Sequence, residues 1–209
     1  MIPRRLRFAF AAFAPLAPFA YVAVLAFAPT PAAAQSYRIA PERTLAGFAV
    51  MNLGVIRQDG HFNRASGTIV LDPARVAGGS VDVMIDLASV DTGWDTRDDY
   101  LRGETMFDVA RYPVLHFRST RLVYRDGHVV AAEGEVTMHG VTKPLKLDVR
   151  RLECGRVSTD GHESCLATVA GQLRRRDFGM DAGYPIVGDV ITLDFAITAV
   201  RAGAEPAPQ

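Results

Sequence analysis

The stretch SVDVMIDLASVDTGWDTRDDYLRGETMFDVARYP, residues 80–113, contains the sharpest change of pattern in the chain. Residues 80–90 alternate between apolar and polar or small side chains, and this period of two predicts a half-buried β-strand. The alternation then stops, and Thr96 followed by Asp99 predicts a capping box at the start of a short helix near residues 95–107. The proline that ends the stretch predicts a return to extended backbone.

On both sides of this helix the chain alternates in the same way. We expect about eight to ten strands, each with one apolar face, and turn signals such as Asp126-Gly127 between them. This pattern is typical of an antiparallel barrel or sandwich. A barrel of about eight strands is just wide enough to be filled by side chains or to hold one small ligand. A single helix in such a chain is expected to cap it.

The N-terminus has the features of a signal peptide. Three arginines precede an apolar run over residues 8–28, and small residues follow up to Ala34. We therefore predict a signal peptide over residues 1–34, cleaved after Ala34. The alternative is an uncleaved membrane anchor, because the run is about long enough to span a bilayer. The remaining chain is predicted to be one barrel domain over residues 35–201 with a disordered tail at 202–209.

Charge and cysteine content bound the class of protein. The chain has 23 basic and 23 acidic residues, and removal of the signal peptide leaves 20 basic residues and a formal net charge of −3. That balance is not the electrostatic footprint of a nucleic-acid-binding protein.

Cys154 and Cys165 flank a polar, turn-rich segment in the part that we expect to be exported. In an oxidising compartment we expect them to form a structural disulfide.

Residues that could support catalysis or metal binding are few. The five histidines are scattered without metal-ligand spacing, and no G-x-S-x-G motif is present. The acids Asp91, Asp95, Asp98 and Asp99 could form a cation site, but helix capping accounts for them better. We predict no catalytic residue and no metal site, and we keep as an alternative an enzyme that uses Asp98, Asp99 or Arg176.

Three consecutive arginines, residues 174–176, stand near the end of a predicted strand. One interpretation is an anion clamp, because the guanidinium fork suits phosphate groups. The other is a solvated edge with one arginine paired to Asp177 or to an acid of the helix. Alternation places Arg175 opposite its two neighbours, so the three cannot all face one ligand.

Apolar side chains give the richest signal. Collectively they supply either a filled core or a chamber for an apolar ligand, with the helix as its lid. We predict a lining made of Phe48, Val50, Phe62, Ile69, Val83, Ile85, Leu87, Leu101, Phe107, Phe117, Val136, Phe178 and Phe195.

Several segments, in order, carry a resemblance to a known family. They include FAVMNLGV at 48–55, ASGTIVLD at 65–72, the whole of residues 81–120, GEVTMHGVTKPLKLDV at 134–149 and RRRDFGMDAGYPIVGDVITLDF at 174–195. Over residues 37–200 the chain resembles the YceI-like family. The resemblance implies a lipocalin-like antiparallel barrel of about eight strands, whose cavity takes a polyisoprenoid or another long-chain lipid. Where the family usually has histidine, this chain has Asn52, which cannot carry charge.

We therefore expect a periplasmic, non-enzymatic carrier for a polyisoprenoid or a similar lipid such as an isoprenoid quinone. Its head group would meet Asn52, Arg97 and Arg176, and no cofactor is expected besides the bound lipid. A ligand-free structural or partner-binding module is the alternative. We expect a hydrophobic small-molecule partner, no nucleic acid, and a transient contact with a membrane or membrane protein. The oligomeric state is open, and a dimer is compatible with the sequence.

Overall fold

The computed structural model describes residues 34–72, 78–156 and 163–203. Eleven strands and one α-helix, α1 (Asp95–Arg102), are found in this part of the chain. The strands are β1 (Gln35–Ile39), β2 (Leu45–Asn52), β3 (Ile56–Phe62), β4 (Ala65–Leu71), β5 (Gly79–Asp86), β6 (Val90–Asp91), β7 (Val114–Arg125), β8 (His128–Met138), β9 (Val141–Gly155), β10 (Ser164–Arg174) and β11 (Val187–Arg201). No helix among these residues is long and apolar enough to cross a bilayer.

Eight of the strands close into a ring. Their order is β1-β4-β5-β7-β8-β9-β10-β11, and β11 pairs with β1 to complete the circle. Every neighbouring pair in the ring is antiparallel. Closure leaves the ring without exposed strand edges, which explains why a sheet of this size is stable as one unit. The predicted eight-stranded antiparallel barrel is confirmed.

The other three strands branch from β11, the long strand that runs the length of the wall. Its last residues, Ala199–Arg201, pair with β1, whereas its first part pairs with β2 through Val187–Ala196. Strand β3 then pairs with β2, and the short β6 pairs with β3. The hairpin of β2 and β3 therefore extends the wall at one end of the barrel.

The two ends of the barrel are built from different elements. The mouth end comprises α1, the tip of the β2–β3 hairpin at residues 53–55, and the loop before β11. The disulfide end comprises the cross-link between Cys154 on β9 and Cys165 on β10, beside the pairing of β1 with the last residues of β11. The predicted disulfide is thus present, with the two Cα atoms 4.0 Å apart.

The helix is shorter than the sequence predicts. It ends at Arg102 and is followed by turns, so the predicted extent to residue 107 is wrong. Its N-cap is Trp94, which makes no side-chain cap, and the predicted capping box of Thr96 and Asp99 is therefore absent. The carboxylate of Asp98 instead accepts hydrogen bonds from the backbone N–H and the hydroxyl of Thr92, which lies in the segment before the helix.

The barrel interior is apolar because alternation points one face of every strand inward. At the mouth end the phenyl ring of Phe62 lies 5.2 Å from Phe48 and 5.7 Å from Phe107, centroid to centroid. At the disulfide end a smaller buried cluster forms around the first strand. It consists of Tyr37, Ile39, Ile69, Cys165 and Ala199.

The predicted termini lie almost entirely outside the described residues. Residues 1–33 of the predicted signal peptide and residues 204–209 of the predicted tail are not described. The signal peptide, its cleavage after Ala34 and the disordered tail therefore stay predictions.

Candidate functional site

Three cavities, called sections below, lie one after another along the barrel and share lining residues. The first section has a volume of about 100 Å³, and every side chain that lines it is apolar except Thr44. It reaches from Ile39 and Leu152 near the disulfide end to Phe48 and Phe62 near the mouth end. Of the predicted lining residues, this section contains Phe48, Phe62, Ile69, Val83, Ile85, Phe117, Val136 and Phe195.

The second section, also about 100 Å³, lies between the first section and the helix. It shares Phe48, Phe62 and Leu115 with the first, so the two sections are adjacent. Of the predicted lining residues, it adds Val50, Leu101 and Phe107.

Two of the predicted lining residues lie elsewhere. Leu87 and Phe178 are fully buried in the core and line none of the three sections. Each stands on a short 3-10 turn, Leu87–Ser89 and Arg175–Phe178, where the two-residue alternation of a strand no longer decides the direction of a side chain. The structure therefore places them in the packing around the cavity.

The third section, about 130 Å³, is the outermost and introduces polar groups. Asn52 from β2, Gln58 from β3 and Arg97 from α1 line it, together with the exposed Tyr100. The structure thus brings Asn52 and Arg97, two of the three predicted head-group residues, to one place. Phe48, Val50 and Leu101 belong to this section and to the second, so a ligand inside the barrel would end here.

The guanidinium of Arg97 is held by its neighbours. It donates from Nε to the hydroxyl of Thr92 at 2.8 Å and from Nη2 to the Thr92 carbonyl at 2.8 Å. Its Nη1 donates to the side-chain carbonyl of Gln58. Arg97 therefore ties the helix to the β3 side of the mouth, and it presents its charge in a fixed orientation.

Asn52 differs from the other polar groups of the mouth. Its side-chain oxygen, Oδ1, is buried and has no hydrogen-bond partner, the one such side-chain atom found among the described residues. A buried acceptor without a donor is costly, by about 1–3 kcal/mol. An unpaired acceptor at the polar end of an apolar path is suited to a ligand that brings an O–H or N–H group.

The three arginines near the end of β10 have three different environments. Arg175 is only 2% exposed, and its guanidinium donates to three backbone carbonyls, those of Met180, Val187 and Gly188. Burial lowers the pKa of this guanidinium, and the nearby carboxylates of Asp189 and Asp181 act in the opposite direction. The predicted solvated edge is therefore wrong for Arg175, which fastens the loop at the mouth to the start of β11.

Its neighbours remain on the surface and pair with acids that the sequence analysis did not name. Arg174 lies 3.3 Å from Asp189, and Arg176 lies 3.0 Å from Asp181. The guanidinium of Arg176 also stacks on Tyr184, 4.2 Å from the ring centroid. Arg176 lines none of the three cavity sections, so the structure does not bring it together with Asn52 and Arg97.

The acids around the helix have structural partners. Asp91 accepts from the backbone N–H of Gly93 and from the Asn63 amide, and the first of these bonds contributes most to lowering the pKa of Asp91. Asp99 pairs with Arg102 at 2.9 Å. In the part of the chain that the structure describes, no three histidine, cysteine or acidic residues are arranged to hold a metal ion.

Several residues of the site could not be predicted from the sequence. Gln58 lies in a polar hairpin strand, Thr92 in the segment before the helix and Tyr100 on the helix. They line the mouth only because the closed barrel brings these elements together. Arg175 was missed because its role depends on carbonyls that lie up to 13 positions further along the chain. The sequence does contain one signal that the hairpin tip has a special role. Leu53 and Val55 are apolar residues at a turn, where polar residues are usual.

Comparison with known proteins identifies the family of the chain and agrees with the barrel fold. The family model described as the YceI-like domain matches residues 37–199. A UPF0312 protein of Vibrio cholerae is 32% identical over 133 residues, which are 64% of this chain and 70% of that protein.

Two solved structures have the same fold. BcnA of Burkholderia cenocepacia is 22% identical with a TM-score of 0.64, over 77% of this chain and 98% of that one. A domain from Saccharophagus degradans is 19% identical with a TM-score of 0.57, over 79% of this chain and 98% of that one. It is described as a polyisoprenoid binding domain implicated in plant cell wall breakdown. At these identities the likeness establishes the fold.

Proposed function

Since the chain belongs to the YceI-like family, we propose that it is a periplasmic carrier that holds a polyisoprenoid or a similar long-chain lipid, such as an isoprenoid quinone, inside the barrel. The observation that carries the proposal is the lining of the first cavity section, which is apolar at every position but Thr44. Such a lining can stabilise a hydrocarbon chain, whereas it offers a polar substrate no hydrogen bonds.

The length of the cavity favours a long chain over a compact ligand. The sections run in series from Leu152 near one end of the barrel to Asn52 at the other. Their volumes, about 100–130 Å³ each, are small beside the roughly 300–1,000 Å³ of ligand pockets in general. We propose that an extended prenyl chain enters by displacing flexible side chains along this path, including Phe48 and Phe62, which line both the first and the second section.

The mouth supplies the polar end of the proposed site. Asn52 would accept a hydrogen bond from the head group, while Arg97 adds a fixed positive charge beside it. A hydroxyl head group, as in a prenyl alcohol or a quinol, satisfies the orphaned oxygen of Asn52. The proposed role is binding and transport of the lipid without chemical change.

Export to the periplasm is part of the proposal. It is supported by the disulfide, because such cross-links persist in oxidising compartments, and by the signal-like sequence before residue 35. A water-insoluble cargo would also require a transient contact with a membrane or a membrane protein, and a dimer is compatible with this function.

Two neighbouring positions on β5 offer a matched test. Val83 faces the cavity, whereas the side chain of Met84 is exposed on the outer face. We expect Val83→Phe to weaken binding of an added polyprenol by about tenfold or more. The larger side chain competes with the lipid for space in the cavity, and overpacking of this kind costs about 1–3 kcal/mol. Met84→Phe should bind as the unmodified protein does, and native mass spectrometry reads both.

The same experiment separates this proposal from the alternative of a ligand-free module. If the unmodified protein retains neither polyprenol nor quinone, the carrier function is wrong. If both variants bind polyprenol equally well, the cavity is not the binding site.

A further inference from the structure

Exposed apolar side chains are concentrated at the mouth end. Twelve large apolar residues are exposed among the described residues, and eight of them come from the hairpin tip, the helix region and the loop before β11. We call these eight the mouth rim: Met51, Leu53, Val55, Ile56, Trp94, Tyr100, Tyr184 and Ile186.

The three segments of the mouth rim form one surface around the outermost cavity section. The N–H of Leu53 donates to the carbonyl of Ile186 at 2.7 Å, which joins the hairpin tip to the loop. Arg97 lies 5.5 Å from the ring of Trp94 and donates to Gln58 of β3, which joins the helix to the hairpin. Rim residues Met51 and Leu53 flank Asn52, the residue with the unpaired oxygen.

The disulfide end has a different surface. Toward that end, Leu45 at the start of β2 is the one large apolar side chain exposed among the described residues, and paired charges such as Arg151 with Glu153 and Arg201 with Glu163 occupy the wall. Single exposed apolar residues are normal on soluble proteins, but a cluster confined to one end marks an interaction surface.

The backbone at the tip of the hairpin gives independent support. Among the described residues, four non-glycine residues have positive φ, and three of them are Asp108, Asp126 and His139, of types that tolerate this conformation well. The fourth is Leu53, at φ 51° in a turn whose next residue, Gly54, also has positive φ. Asn or Gly would fit this position without strain. A leucine that is both strained and 64% exposed is therefore retained at a cost to stability.

We propose that the mouth rim docks the protein on the surface of a phospholipid bilayer, with the cavity mouth facing the membrane. This inference rests on the proposed lipid cargo, which would then pass between bilayer and barrel without crossing water. Trp94, Tyr100 and Tyr184 have the amphipathic rings that are enriched where membranes meet water. The aliphatic residues of the hairpin tip, of which Val55 is 78% exposed, enter the acyl boundary between them.

The charges beside the rim indicate which bilayer it fits. Arg57 pairs with Asp59 at 2.8 Å, and Arg176 pairs with Asp181 at 3.0 Å. Because these arginines are neutralised by neighbouring acids and Arg97 is a single charge held by Thr92 and Gln58, the rim lacks the basic cluster that recognises anionic lipid. Docking should therefore depend on apolar burial, occur on zwitterionic bilayers, and change little with salt.

The chain provides its own probe for this docking. Trp94 is the single tryptophan in the sequence and is 60% exposed on the rim. We expect its fluorescence emission to shift to the blue when the purified protein meets vesicles of pure phosphatidylcholine without cargo lipid. The shift should be similar with vesicles that contain half phosphatidylglycerol, and it should persist in high salt.

A pair of identical substitutions tests the surface. Leu53→Asn removes an apolar side chain from the rim, and it should weaken vesicle binding by about tenfold. Asparagine suits positive φ, so the variant should be at least as stable as the unmodified protein. Leu45→Asn, on the outer face of β2 away from the rim and 50% exposed, is the matched control and should bind vesicles normally.

Several results would overturn the proposal. They are the absence of any shift of Trp94 emission with vesicles, equal losses in the two variants, or binding that is confined to anionic vesicles and abolished by salt. A dimer that Leu53→Asn dissociates, without vesicle binding, would assign the rim to a second copy of the chain instead. Cargo binding by Val83→Phe and Met84→Phe is measured without vesicles, so failure of docking and failure of the carrier function are distinguishable.

Discussion

The two ends of the barrel, roughly 40 Å apart along β11, are held together by different means. At the disulfide end, a covalent bond between β9 and β10 adjoins a cluster of buried apolar side chains around Tyr37. At the mouth end, the guanidinium of Arg175 joins three carbonyls of the loop and of β11. A buried cation can fasten a loop while leaving the adjacent wall apolar, so the mouth can remain available to a ligand.

The two ends therefore differ in how they contribute to stability. The disulfide end combines a cross-link, buried packing and paired surface charges. The mouth end contains an unpaired acceptor at Asn52, a strained Leu53 and an exposed apolar rim, each of which lowers stability. Features of this kind persist where they serve binding.

The largest effect that we predict is on Arg175. Arg175→Leu should lower the free energy of unfolding by about 4 kcal/mol, because three carbonyl oxygens lose their donor in a buried site. Urea unfolding measures the change. Arg176→Leu is the neighbouring control and should cost no more than about 1 kcal/mol, because its ion pair with Asp181 is exposed. Similar losses in the two variants would contradict the role assigned to Arg175.

The disulfide should have the next largest effect. Replacing Cys154 and Cys165 together by serine should lower the free energy of unfolding by about 3 kcal/mol, since a loop of this length restricts the unfolded chain by that amount. Polyprenol binding should be unchanged below the unfolding transition, because neither cysteine lines the cavity. Loss of binding in a folded double variant would show that the two ends are not independent.

Asn52 should affect ligand choice more than stability. Asn52→Leu removes the unpaired oxygen, so it should weaken binding of a prenyl alcohol by about tenfold relative to its methyl ether, which donates no hydrogen bond. Asn52→Asp retains an acceptor and is the control. Titration with the two ligands measures the ratio, and an unchanged ratio in Asn52→Leu would place the head group elsewhere.

The smallest predicted effect lies at neither end. On the outer face of β5, His116 and, to a lesser degree, Arg118 donate to Asp82 at 2.9 and 3.0 Å, and these bonds lower the pKa of its carboxyl. A lowered pKa in the folded state adds stability above pH about 4 that is lost as the pH falls through the folded value. Asp82→Asn should remove up to about 1 kcal/mol of that acid-dependent stability.

Urea unfolding across the acid range provides the measurement for Asp82. Asp126→Asn, in the exposed β7–β8 turn, is the control for the loss of one carboxylate. A pH dependence in Asp82→Asn that matches the unmodified protein would show that this ion pair contributes nothing to folding.

The barrel could be predicted because alternation fixes which side chains face inward, strand by strand. Val83 and Phe117 were placed in the cavity from that pattern alone, and the structure has them there. The family resemblance then decided between a closed barrel and a sandwich, which periodicity does not distinguish. The disulfide could be predicted from two cysteines on either side of one polar turn, in a chain whose sequence predicts export.

Features that depend on tertiary contacts could not be predicted. The helix begins at Asp95 without a capping box because Asp98 bonds back to Thr92, and local sequence preference does not encode that contact. Leu87 and Phe178 were assigned to the cavity by alternation, but 3-10 turns change their direction. The sequence does not distinguish Arg175 from its two neighbours on the surface, because its burial depends on the loop at the mouth.

Native mass spectrometry of the protein purified from the cells that produce it, followed by extraction and identification of any bound lipid, tests the central claim most directly. We predict one molecule of prenyl or quinone type per barrel, and its loss from Val83→Phe but not from Met84→Phe. A protein that arrives empty and also fails to take up added prenyl lipids would contradict the carrier function.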